Sequence, residues 1–298
     1  MIAIVGSSGF LGSRLSLHFK ENNIKHIALG RSEMPGNPDF SDHNTLFKIL
    51  DHYKPSLVIN CVAETDLQKC EIEPKSAIIS NVVVPFNLSK CQDELGFKVI
   101  QISTDHFYDK LFSSEDNVVV LNQYAATKLQ GEQLVANENT LILRTNFFGM
   151  DAVNGLNRGL VENIISKLCG QKEIIGFQDV LFNPLYFGDL IKSIDKIILN
   201  FECGTFNIGS TSYISKAEFV KLCITNFQLD LKLFKNGSID SLKQKVKRPN
   251  KMVSSSEKAI KTFDLRLPSF DQTFVNFVNQ DRKYIKERLG QNDDAYRK

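Results

Sequence analysis

The chain has 298 residues and a mass of 33.7 kDa, with 42% apolar and 23% charged residues. That composition excludes a disordered or low-complexity chain and suits one large α/β unit or two unequal lobes. Thirty-six basic against 34 acidic residues leave a net charge of +2, so neither nucleic acid nor a membrane surface is an expected partner.

The first element expected is a strand at Ile2–Val5, reached with no basic leader or cleavage site. Short β-branched runs follow at Lys25–Leu29, Leu57–Asn60, Lys98–Ile102 and Thr140–Arg144. Helical patterns at Leu11–Asn22, Asn44–His52, Ser76–Glu94 and Asn122–Val135 separate them. This alternation predicts a parallel, doubly wound sheet with its ligand crevice at the carboxyl ends of the strands. Beyond Thr145 the pattern weakens. Helices are expected near Leu156–Leu168, Phe187–Leu199 and Lys216–Phe227, the last capped by Ser215 with Glu218, and a strand at Gly204–Ile208. The basic stretch from Lys235 to Lys261 reads as a surface loop over the crevice, and the charged tail as a solvated or frayed helix. Six cysteines without C-x-x-C spacing read as reduced, mostly buried thiols of a cytoplasmic protein. No spacing of histidines suggests a metal site.

Gly6-Ser7-Ser8-Gly9-Phe10-Leu11-Gly12 follows the first strand and opens the first helix. Gly6 suits the tight turn, Gly9 lets backbone approach a pyrophosphate, and Gly12 lets the helix pack on the sheet. A purely structural strand–helix turn uses the same glycines, so the case rests on their position in a βαβ unit. At the end of the second strand an acidic residue binds the free ribose of NAD, whereas arginine accommodates the 2′-phosphate of NADP. Arg31 and Ser32 stand there, which favours NADP(H), with NAD(H) as the second option.

Tyr124-Ala125-Ala126-Thr127-Lys128 sets a phenol and an amine on one helix face, and the amine is expected to lower the phenol's pKa. Thr104, in Ser103-Thr104-Asp105 at the end of the fourth strand, is placed to hydrogen-bond a substrate carbonyl beside Tyr124. His106 next to this trio reads as an acid–base group, a substrate contact or a satisfied loop side chain. The acidic Glu64, Asp66 and Glu71 read as solvated residues or helix caps.

Taken in order, these segments resemble the extended short-chain dehydrogenase/reductases, and most nearly the dTDP-4-dehydrorhamnose reductase family. The resemblance also covers Asn60 to Asp66 with Glu71, Gly131-Glu132, Leu143-Arg144-Thr145, and weaker echoes at Asp179 with Pro184, Gly188-Asp189-Leu190 and Arg248-Pro249. It implies a Rossmann-like NADP-binding domain over 1–145 with parts of about 185–210, and a smaller α/β substrate-binding lobe over 146–184 and 211–298. It also implies site roles. Gly6, Gly9, Phe10, Leu11 and Gly12 would hold the pyrophosphate, Arg31 and Ser32 the adenosine phosphate, and Asp39 and Phe40 the adenine. Ala63 and Thr65 would line the nicotinamide ribose channel. Thr104, Tyr124 and Lys128 would be catalytic, with Lys128 also bridging the ribose hydroxyls. Asp105, His106 and Arg248 would meet the substrate, Arg248 at its pyrophosphate.

The implied activity is NADPH-dependent reduction of a nucleotide-activated 4-keto-6-deoxy sugar, with a homodimer as the assembly kept open. A nucleotide-sugar epimerase with retained NAD(P) is the enzymatic alternative. A regulatory binding subunit like that of methionine adenosyltransferase is the non-enzymatic one. Departures from the family pattern fall at His106, at Val180-Leu181-Phe182-Asn183 and at Leu185, positions expected to read the sugar or base.

Overall fold

The structure is a computed structural model, and it describes residues 1–30, 34, 37–151, 159–241 and 246–290. Among these, six parallel strands form the main sheet: β1 (Ile2–Val5), β2 (His26–Leu29), β3 (Leu57–Asn60), β4 (Lys98–Thr104), β5 (Thr140–Thr145) and β6 (Gly204–Ile208), in the order β6-β5-β4-β3-β1-β2. The chain steps outward from β1 to β2, then crosses back to β3 on the other side. That reversal opens a crevice at the carboxyl ends of β1 and β3.

Why the strands read as continuous apolar runs follows from their two covered faces. Ile2 and Ile4 join Leu57 and Ile59 beneath α1 (Phe10–Glu21), whereas Ala3 and Val5 join Val58 and Val99 beneath α2 (His43–Tyr53) and α3 (Val84–Leu95). Parallel register sets Ile2 beside Leu57 and Ile4 beside Ile59, so each apolar side chain stacks on another of its own face. The helix α4 (Gln123–Val135) starts at Asn122, whose side chain accepts from the Ala125 amide.

Two expectations change. The helix foreseen over 76–94 begins at Pro74 and is interrupted by a π turn, Ile79–Val83, before α3. There Asn81 accepts from the Glu64 amide and donates to Thr127 Oγ1, a juncture that an unbroken α-helix would not present.

The supposed loop of 235–261 is built into the fold over its described residues. Phe234–Gly237 pairs with Ile174–Phe177, Lys251–Ser254 pairs with both Lys110–Ser113 and Leu181–Phe182, and Glu257–Phe263 is helical. Its strands draw their partners from distant segments, so four-residue stretches show no local period.

The charged tail opens, as expected, with a mostly exposed helix, Arg282–Arg288, anchored at its start. Asp281 is buried and accepts from the Arg14 guanidinium at 3.3 Å, the Met150 amide at 2.9 Å and the Tyr186 hydroxyl at 2.9 Å.

The remaining helices follow the amphipathic pattern: α5 (Leu160–Cys169), α6 (Phe187–Leu199) and α7 (Lys216–Phe227), where Ser215 and Glu218 form the expected capping box. Phe148 binds the second half together, its ring 5.2 Å from Phe219 and 5.3 Å from Phe277 between centroids. All six cysteines are free; Cys70, Cys91 and Cys223 are buried, while Cys169 and Cys203 are exposed. Among the described residues, no helix is long and apolar enough to cross a membrane.

Candidate active site

Three cavities run in a row along the carboxyl edge of the sheet. The first, about 250 Å³, is lined by Gly6, Gly9, Asp39, Phe40 and Ala63. It meets the second, about 480 Å³, at Gly9, Cys61 and Ala63. The second holds Phe10, Leu11, Thr65, Thr104, Asp105, Tyr124 and Lys128. It meets the third, about 370 Å³, at Leu67, His106 and Asn146, and Arg248 and Lys216 lie on the third's wall. Each is within or near the usual size of a small-molecule pocket.

The glycine loop is shaped for close approach. Gly6 has φ +85, and a Cβ there would lie 2.9 Å from the Val62 amide nitrogen, so only glycine fits. Gly9 is the N-cap of α1 and brings no side chain to its first turn, whose amides have no partners within the helix. Bare amides and the positive end of a helix dipole fit an anion such as a pyrophosphate. Gly12 is not on any of the three cavity walls. A Cβ there would stand 2.3 Å from the Gly6 carbonyl oxygen, so its part is to let α1 pack against the loop.

At the first cavity, Phe40 is buried in the core beneath α2 and Asp39 accepts from the Ser41 amide and hydroxyl, so both carry structural contacts as well as the cavity edge. Arg31 and Ser32 lie outside the described residues. Asp66 caps the short helix Leu67–Ile72 through the Gln68 and Lys69 amides, and Glu71 accepts from the Gln123 amide, which settles two of the three acidic side chains as structural.

Thr104 and Thr145 end neighbouring strands in register, and Tyr124 and Lys128 come down on them from α4. Thr104 lies beside the Tyr124 phenol, and its Oγ1 accepts from the His106 amide at 3.1 Å. Lys128 Nζ donates to the Ile102 carbonyl oxygen at 2.8 Å. Burial pushes Lys128 down to about 8, against Glu132 and Cys61, which favour its charged form. Burial pushes Tyr124 well above the ordinary phenol range. The Lys128 ammonium is turned to backbone, and desolvation of the phenolate is the largest influence on Tyr124.

His106 has its ring edge-on to Tyr124, 5.6 Å between centroids. Burial, then the Lys216 and Arg248 charges, push it down to about 4, so the ring is neutral near pH 7. Its Nε2 is buried with no hydrogen-bond partner. A neutral ring with a free nitrogen suits a substrate contact better than an acid. Asp105 accepts from Asn146 Nδ2 at 2.9 Å and is pushed up by burial.

Arg248 is held in place by its neighbours: Asn122 Nδ2 donates to the Lys247 carbonyl, and Asp109 accepts from the Asn250 and Lys251 amides. Of the departures noted in the sequence, His106 and Val180 line the third cavity; Asn183 instead stitches Ser210 to Ser254, and Leu185 pairs with Phe147. Sequence reading missed Asn146 and Lys216. Asn146 directly follows the Leu-Arg-Thr run, which was a signal; Lys216 looks like any first-turn lysine.

A doubly wound sheet, a glycine loop at its first turn and a tyrosine–lysine pair beside a strand-end threonine define a dinucleotide-binding protein of the short-chain dehydrogenase/reductase type. More narrowly, the chain belongs to the RmlD substrate binding domain family, whose sequence profile matches residues 1–283. It is 27% identical to a probable low-salt glycan biosynthesis reductase of Haloferax volcanii, over 74% of this chain and 78% of that protein. Its fold superposes on a dTDP-4-dehydrorhamnose reductase of Clostridium acetobutylicum with a TM-score of 0.83 at 25% identity, covering 94% of this chain and 99% of that one. A dTDP-4-dehydrorhamnose reductase of Bacillus anthracis, in complex with NADP, gives a TM-score of 0.84 at 22% identity over 94% and 98% of the two chains.

Proposed function

We propose that the chain is an NADPH-dependent reductase of a nucleotide-activated 4-keto-6-deoxy sugar. One observation carries the reading: the cavity holding Thr104, Tyr124 and Lys128 joins the glycine-loop cavity on one side and a basic, apolar-floored cavity on the other. A cofactor and a second, anionic ligand can thus meet at the trio. Family membership and the glycan-biosynthesis relative support the same substrate class.

In this reading Gly6, Gly9, Phe10 and Leu11 hold the cofactor's pyrophosphate, Ala63 and Thr65 flank its nicotinamide ribose, and Asp39 and Phe40 border its adenine. Arg31 and Ser32 take the 2′-phosphate. When bound, the reduced nicotinamide supplies the hydride.

Tyr124 donates its phenolic proton to the oxygen that gains charge as the carbonyl is reduced. A phenol held above its ordinary range keeps that proton at neutral pH, as a general acid must. Thr104 polarises the same oxygen, and Lys128 holds positive charge near the developing phenolate, which solvent re-protonates. Asp105 and His106 touch the sugar, and Arg248 takes the substrate's diphosphate.

The test is a screen of NADPH oxidation against 4-keto-6-deoxy sugars carrying dTDP, UDP, GDP or CDP. Turnover with at least one is expected. Absence of oxidation with all of them, by protein that binds NADPH, would remove the substrate assignment.

A further inference from the structure

The third cavity has a charge pattern unlike that of the chain. Among its lining residues are three cations, Lys167, Lys216 and Arg248, and no carboxylate. The chain as a whole carries almost as many acidic as basic residues. Like charges crowd a half-enclosed apolar hollow only at an electrostatic cost, and an anionic ligand removes that cost.

Lys216 is the most constrained of the three. Its ammonium sits 3.4 Å from the centroid of the Phe182 ring, close enough for a cation–π contact that fixes the side chain's direction. Phe182 is itself fully buried and held by pairing with Ile214 and Met252. Lys216 is the first residue of α7, where the helix dipole adds further positive potential. Among the described residues, no carboxylate lies within ion-pair distance of either Lys216 or Arg248. The two cations act on each other and both act on His106, and the buried Asp105 of the adjoining cavity acts on Lys216 ahead of Arg248, so they share one corner of the cavity, where the Nε of Arg248 is buried and without a partner.

We propose that Lys216 and Arg248 form a paired clamp for the diphosphate of the substrate, with Lys216 as its rigid member and a determinant of specificity for diphosphate over monophosphate or nucleoside. The proposal rests on the reading of the substrate as a nucleotide sugar. Arg248 comes from a segment tied to Asn122 and Asp109, and Lys216 from the first turn of α7. Two cations held by separate supports match two phosphoryl groups.

Titration calorimetry on the NADPH-saturated protein, with UDP, dTDP, UMP and uridine as probes, tests the clamp. Lys216→Met should weaken UDP or dTDP by about tenfold to a hundredfold, the size of a lost charged hydrogen bond, and leave uridine unchanged. Lys216→Arg should restore binding to within a few fold. NADPH affinity should be the same in all three proteins, which also shows that the variants fold. Equal weakening of uridine and UDP by Lys216→Met would mean a packing role and overturn the clamp. So would unchanged UDP and dTDP affinity in Lys216→Met alongside a loss in Arg248→Ala, while the reductase reading stood. If wild-type protein bound NADPH but none of the four probes, the nucleotide-sugar reading would fall and the clamp with it.

Discussion

The guanidinium of Arg144 grips the carboxylate of Glu132 from two sides, Nε at 3.0 Å from Oε1 and Nη2 at 2.7 Å from Oε2, with both side chains buried. Arg144 lies on β5 and Glu132 on α4, so the pair fastens the helix bearing Tyr124 and Lys128 to the strand ending in Thr145. Nη1 of the same arginine donates to the Tyr108 hydroxyl and the Glu115 carbonyl.

Breaking that pair from one side should be costly, because the arginine stays buried and charged. Glu132→Gln is expected to lower stability by about 3–5 kcal/mol in urea denaturation. A loss under about 1 kcal/mol, the worth of an exposed pair, would show that solvent reaches the site.

Gly131, next along the helix, faces the Asn81 carbonyl so closely that an added Cβ would stand 1.9 Å from its oxygen. Gly131→Ala should therefore destabilise by roughly 1–3 kcal/mol despite alanine's better helix propensity. A rise in melting temperature would mean that the π turn yields easily.

Tyr124→Phe removes the transferable proton and keeps the ring. Turnover is expected to fall by about 10²–10⁴-fold while NADPH still binds. Activity retained within a few fold would shift the proton donor elsewhere, and the neutral His106 is a poor replacement at pH 7.

His106 sets a pH dependence of stability. Its folded value is about 4, against 6.5 in the unfolded chain. As pH falls below 6.5 the unfolded chain binds a proton here that the folded chain refuses, so this contribution to stability is complete above 6.5 and is lost down to about 4. His106→Asn should melt with a shallower pH dependence across that window. Parallel curves for the two proteins would contradict the shielding of the ring.

Much of the fold was legible because β1 and β3 are apolar at nearly every position, β5 has an apolar Leu141-Ile142-Leu143 centre, and all three are bounded by turns. The trio and glycine loop were legible because short motifs sit at strand ends. Lys216 was not. Its neighbours in sequence, Ser215 and Glu218, carry the capping signal, and nothing local foretells that Phe182 folds beneath it. The segment around Lys251 and the docking of Asp281 stayed hidden for the same reason: each is held by partners seventy or more residues away.

The π turn at Ile79–Val83 also bears on how this chain can change in length. An α-helix advances about 100° per residue, so one residue removed there would restore a regular helix and swing everything before it by that angle relative to α3. Asn81 would leave Glu64 and Thr127, and the helix carrying Tyr124 would lose its fitted neighbour. Point substitutions keep the phase and can be absorbed one at a time. A deletion cannot, so among descendants of this chain the stretch from Pro74 to Leu95 should vary in letters but not in count.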